Sequence, residues 1–116
     1  MSAWPVELRL DKSKTLLIVS FEAGECFELA AEYLRVESPS AEVQGHGPGQ
    51  RQIVAGKRNV KIAGLEPVGN YAIRILFDDG HDTGLYSWDY LHQLGRDREK
   101  KWAAYLQALR AKRLER

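Results

Sequence analysis

FDDGHDTGLYSWDYL, residues 77–91, decides the fold because it recurs in plainer form as FEAGECFELAAEYL at 21–34. Each stretch opens on Phe, places Gly after two further residues, continues through a returning strand and ends a short helical pattern on Tyr-Leu. The two differ in length by one residue. At this size the repeat is one β-β-α motif used twice rather than a solenoid. The copy at 21–34 lacks the acid–histidine cluster, so a structural role comes first for the shared positions.

Working outward, YAIRILF (71–77) puts Tyr71, Ile73, Ile75 and Phe77 on one face and Ala72, Arg74 and Leu76 on the other. A period of two marks a half-buried strand. Asp79-Gly80 follows as a hairpin signal of the type I′ kind, and HDTGLY is expected to return as a strand. Ser87 is placed to cap a short helix, WDYLHQL, with Gly95 at the position after its end. Upstream, VELRL (6–10), TLLIVSF (15–21) and CFEL (26–29) read as strands and AAEYLR (30–35) as a short helix ended before Pro39. Short strands are expected about Ile53 and about Val60–Leu65. QGHGPGQRQ (44–52) is aperiodic and glycine-rich, a mobile loop. The last helix, 96–115, carries an apolar stripe at Trp102, Tyr105, Leu106 and Leu109 that runs out at Arg113, so its final turn is expected to fray. The fold expected is α+β: antiparallel strands from two β-hairpin-plus-short-helix units, closed by a C-terminal helix. Residues 1–95 form the domain; 96–116 form a basic helix packed on it or extending from it.

The chain has 116 residues, 44% of them hydrophobic and 28% charged, a balance that suits one soluble domain. Its one cysteine, Cys26, leaves no internal disulfide and reads as a packed thiol. No run approaches a membrane span and no leader pattern opens the chain, so a cytoplasmic location without membrane contact is expected. Net charge is +1 but uneven: 96–116 holds eight Lys/Arg against three Asp/Glu. That tail reads as a solvated helix face rather than a nucleic-acid contact.

The cluster at the repeat invites chemistry. His81 is flanked by Asp78, Asp79 and Asp82, but the spacing fits neither a calcium loop nor an iron motif. His46 and His92 are remote in sequence, short of a zinc set. Ser87, His81 and Asp89 supply the residue types of a hydrolase triad without any spacing that demands one. GHGPG lacks the Lys-Ser/Thr and helix start of a phosphate loop. Tyr86, Trp88 and Tyr90 read as packing anchors. No enzyme and no cofactor are expected from these residues.

LLIVSFEAGECFELAAEYLRVESPSAE, then GKRNVKIAGLEPVGNYAIRILFDDGHDTGLYSWDYL and Leu94-Gly95, resemble the gamma-butyrobetaine hydroxylase-like N-terminal domain, a small bacterial domain of unassigned function. The resemblance covers roughly residues 6–95. In the carnitine-synthesising oxygenases such a domain precedes an iron- and 2-oxoglutarate-dependent catalytic domain, which this chain is too short to include. There it holds zinc on Cys-x-Cys-x-x-Cys plus a later histidine. Those positions fall here on Ser38, Ser40, Val43 and His81. Serine is a poor zinc ligand and valine is none, so no metal is expected. The resemblance also implies a second context, fusion to P-loop iron–sulfur carriers. It therefore suggests a protein-binding adaptor, accessory to iron–sulfur or other metalloprotein assembly, with a metallocluster or P-loop carrier protein as partner. The alternative is a metal- or ligand-binding accessory domain supplied in trans to an oxygenase-type oxidoreductase. The expected contact surface is Arg35, Ser38, Asp78, Asp79, His81 and Asp82.

Overall fold

The computed structural model describes residues 4–45 and 51–116. Strands β1 (Pro5–Leu10), β2 (Leu16–Phe21) and β3 (Cys26–Ala30) form an antiparallel meander, followed by α1 (Ala31–Val36) and the single turn α2 (Ala41–Gln44). A second meander, β4 (Ile62–Val68), β5 (Ala72–Phe77) and β6 (Leu85–Ser87), runs into α3 (Trp88–Arg96), and α4 (Arg98–Ala111) follows. The architecture is the α+β one expected. The two central strands are the most apolar, since a strand paired on both edges and covered on its faces needs little polar surface. Leu17, Val19 and Phe21 of β2 meet Ile73, Ile75 and Phe77 of β5 in one core, filled further by Leu34 of α1 and Leu91 and Leu94 of α3.

The repeat extends to individual hydrogen bonds. In the first hairpin Phe21 N–H donates to Glu25 O (2.7 Å) and Gly24 N–H to Phe21 O (2.9 Å). In the second Phe77 N–H donates to His81 O (3.0 Å) and Gly80 N–H to Phe77 O (3.1 Å). Gly24 (φ 104°) and Gly80 (φ 90°) hold the same left-handed position. Each is a three-residue connection, a turn followed by a glycine bulge, and not the two-residue type I′ turn expected at Asp79-Gly80.

Tyrosines join the halves reciprocally. Tyr33 of α1 donates from its hydroxyl to the Leu94 carbonyl of α3 (2.7 Å), and its counterpart Tyr90 donates to the carbonyl of Glu37, just past α1. Tyr86 adds a bond to Leu34 O (2.6 Å). Helix ends leave carbonyls without intrahelical donors, and these hydroxyls supply them. Burial raises the pKa of all three phenols, that of Tyr90 to about 12, so they remain neutral donors.

Several local expectations are corrected. HDTGLY pairs as a strand only over Leu85–Ser87, because residues 81–84 turn aside to meet the α1–α2 turn. No strand forms about Ile53; Ile53, Val54 and Ala55 instead pack against α4, with the Val54 carbonyl accepting from Tyr105. Tyr71 is exposed, at the turn ahead of β5. Cys26 is exposed rather than packed. The boundary between the last two helices falls at Asp97 rather than at Gly95, and the final helix ends at Ala111 rather than at 115. Its last turn is tied down: Leu114 N–H donates to Leu109 O (2.9 Å) and Arg113 N–H to Arg110 O (3.1 Å), with Arg113 left-handed at φ 55°. That pairing is the Schellman closure. Residues 46–50, which include His46 and most of the expected mobile loop, lie outside the described residues.

Ser87 caps α3 as expected, accepting from Tyr90 N–H (3.1 Å). Gly95 lies inside α3 rather than beyond it. It is small for a packing reason: a Cβ there would stand 2.4 Å from two carbons of the Phe27 ring. That ring is held edge-on by Phe21 and His92 and has little room to yield. Helix propensity alone would make Gly95→Ala stabilising by about 1 kcal/mol. Overpacking should prevail, with a net destabilisation of about 1–3 kcal/mol in urea unfolding. Gly64→Ala, where an added methyl meets nothing within 4 Å, should stay within about 0.5 kcal/mol of the parent.

Candidate functional site

The 78–83 loop docks onto the turn between α1 and α2. Pro39 stops α1 from continuing, and the turn carries Ser38 and Ser40 inward, both buried. The glycine bulge at Gly80 aims His81 at them. His81 Nε2 lies 2.9 Å from Ser38 Oγ and 3.4 Å from Ser40 Oγ, while Nδ1 lies 3.2 Å from a Glu42 carboxylate oxygen. A carboxylate can only accept, which assigns the ring proton to Nδ1 and leaves Nε2 to accept from Ser38. Burial, and then the charge of Arg35, lower the His81 pKa against the opposing pull of Glu42 and Asp79.

Asp79 is the second anchor. Its carboxylate accepts from Arg35 Nε (2.8 Å) and from the His81 backbone N–H (3.0 Å), and pairs with Lys57 Nζ (2.6 Å). Although the residue's backbone is exposed, only 18% of its side chain is. Burial works to raise its pKa, but Lys57, the His81 amide and Arg35 together outweigh burial and hold it at about 2.

The six expected surface residues therefore divide. Arg35, Ser38, Asp79 and His81 come together as a mostly buried cross-link between the halves. Asp78 is exposed and bonds the Lys61 backbone N–H (3.0 Å); Asp82 is exposed. The residue types of a triad do not assemble as Ser87, His81 and Asp89: Ser87 is occupied as a helix cap. Ser38, His81 and Glu42 do assemble, in hydroxyl–imidazole–carboxylate order. Ser38 is 0% exposed, and a Cβ on Gly84 would sit 2.6 Å from its Oγ, so bare backbone occupies the approach to the hydroxyl. Glu42, Lys57 and Gly84 were not singled out from sequence; their only signal is the spacing that brings 38–43 to 81.

Comparison with known proteins fits this geometry. Residues 8–92 match the family described as gamma-butyrobetaine hydroxylase-like, N-terminal. The chain belongs to this family. An NMR solution structure 46% identical to this member covers 99% of it and 86% of its own chain, with a TM-score of 0.85. A second NMR solution structure, 42% identical, covers 100% and 91% with a TM-score of 0.86. A crystal structure of a protein of unknown function in the DUF971 family, from Acidithiobacillus ferrooxidans, is 37% identical over 78% of this chain and 91% of its own, with a TM-score of 0.66. No curated protein matches the chain.

Of the positions that the family resemblance assigns to zinc, Ser38 and Ser40 meet His81, while Val43 is buried in α2, its N–H donating to Ser40 O (3.1 Å). The donor set does not fit zinc, since two neutral hydroxyls and an isopropyl group stand where such a site needs thiolates, and one imidazole alone is left as a ligand. Nor do the described residues hold any cluster of three or more His, Cys, Asp or Glu suited to a metal. No helix among them is long and apolar enough to cross a membrane.

The site predicts how stability responds to acid. His81 is depressed below its ordinary 6.5, so the unfolded chain takes up the proton first; stability is full above about 6.5 and falls as pH drops toward the folded value. Asp79, at about 2 against an ordinary 3.8, adds a second loss as pH falls from 3.8 toward 2. Urea midpoints should decline between pH 7 and 5, and His81→Asn should flatten that upper limb while leaving the lower one. An unchanged slope in the variant would remove His81 as its source.

Proposed function

We propose that this domain is a non-enzymatic protein-binding adaptor. Its contact surface is the outer lip of the 78–83 loop with Glu42, and its partner is a protein that carries or assembles an iron–sulfur or other metal centre. One observation carries the reading: the Ser38–His81–Glu42 chain is closed, with the hydroxyl fully buried beneath Gly84. A reacting carbon must reach a nucleophile in contact geometry, and backbone stands in that place. The same scaffold leaves Asp78, Asp82, Thr83 and Glu42 exposed as an anionic lip on a braced base. A braced surface loses little conformational entropy on docking, and its charge suits a basic patch on the partner. The metal-handling class of partner follows from the family resemblance. Because this chain lacks the thiolates, the metal centre stays with the partner.

The test is affinity purification of the tagged chain from its native cell, beside an Asp82→Lys variant. Charge reversal at a real contact should lower recovery of a specific partner about tenfold, the cost of bringing like charges together, with thermal unfolding unchanged. Equal recovery by the folded variant would remove this lip as the contact surface. Stoichiometric zinc or iron in protein purified without a histidine tag would favour the accessory role to an oxygenase instead.

A further inference from the structure

Glu32 is a carboxylate that neither the loop site nor the tyrosine pairs employ. It lies in the first turn of α1 with its side chain only 7% exposed. Arg116 reaches back across the fold to it: Nε donates to one carboxylate oxygen (3.0 Å) and Nη2 to the other (2.7 Å). The same guanidinium stands over the Trp102 ring, 5.3 Å from its centroid. Tyr33 packs edge-on against Trp102, fixing the indole from behind (ring centroids 6.3 Å apart). Around these groups lies a cleft of about 290 Å³, with Arg98 and Glu99 on its border.

Two bonds in parallel to one carboxylate, combined with stacking on an aromatic face, form the recognition mode of a planar guanidinium; an ammonium can reproduce only its charge. The carboxylate and the indole sit on separate elements, α1 and α4, each fixed by the core. Arg116 by contrast sits on an exposed tail beyond the Schellman turn, where Gly56 N–H donating to Glu115 O (3.0 Å) adds one backbone tie. In the receptor half of this pair Glu32 is buried and Trp102 half-buried against the core, and the ligand half is peripheral.

We infer that Glu32 and Trp102 form an arginine-binding site, which the chain's own Arg116 fills in cis and an arginine side chain of a partner peptide fills in trans. This goes beyond the adaptor reading and stands on a different set of residues, so either can fail alone. Arg116 acts as a tethered competitor: the site accepts an outside arginine only in the fraction of molecules whose tail has swung away.

The test titrates Nα-acetyl-arginine amide into the chain and into Arg116→Ala, following the Trp102 indole N–H by NMR. The variant should bind about tenfold or more tightly than the parent, as expected when an occupant filling the site most of the time is removed. The neutral isostere Nα-acetyl-citrulline amide and the lysine analogue should bind at least about tenfold more weakly than arginine. Adding Glu32→Gln to Arg116→Ala should abolish the preference for arginine. Should Arg116→Ala fail to fold, Arg116→Lys keeps the charge and loses the fork, and must still bind the arginine amide more tightly than the parent. Equal affinity in parent and variant, or equal binding of arginine and citrulline, would overturn the assignment.

Discussion

The reciprocal tyrosine bonds are the constraint on which the fold depends. Tyr33 and Tyr90 hold equivalent places in the two copies of the motif, and each donates to the carbonyl four residues beyond its own counterpart's position. Neither meander could cover its apolar face alone, so each copy supplies the other's missing layer. The hydroxyls make that packing specific, because a buried carbonyl at a helix end without a donor is costly. Apolar contact alone would tolerate sliding of one copy over the other; two directional bonds of opposite sense do not.

This arrangement was legible in the sequence as form but not as contact. Phe, Gly and Tyr-Leu at matched spacing gave the motif, its hairpins and its helices, and the apolar runs at 16–21 and 72–77 marked the central strands. What escaped lay where tertiary contact overrode local pattern. Residues 81–84 follow the hairpin turn where a returning strand would begin, but leave the sheet to reach the α1–α2 turn. Gly95 has a helix terminator's identity, yet its cause is a phenyl ring sixty-eight positions away in sequence. The tail beyond Arg113 lacks an apolar stripe, and its order comes from a carboxylate on α1.

The site was legible in part for a related reason. Counting the positions that the family resemblance assigns to zinc onto Ser38, Ser40, Val43 and His81 located the place where the two segments meet, though the donor chemistry does not suit the metal. Hydroxyl–imidazole bonds and the Arg35–Asp79–Lys57 pairing hold that junction. Such a junction is cohesive without cofactor, and its strength depends on proton occupancy where a thiolate–zinc site would depend on metal supply.

The reciprocal bonds also bear on how the chain reaches its fold. Each hairpin closes over three residues, a span with little loop entropy to overcome, whereas the tyrosine bonds bridge separations of 61, 53 and 52 positions. Local hairpins are therefore inexpensive to form and marginal by themselves, since isolated two-stranded ribbons rarely persist in water. Persistence arrives only when both copies meet. The duplicated motif thus gives the protein fast local chain closure together with an all-or-none commitment, made at the long-range step that joins one half to the other.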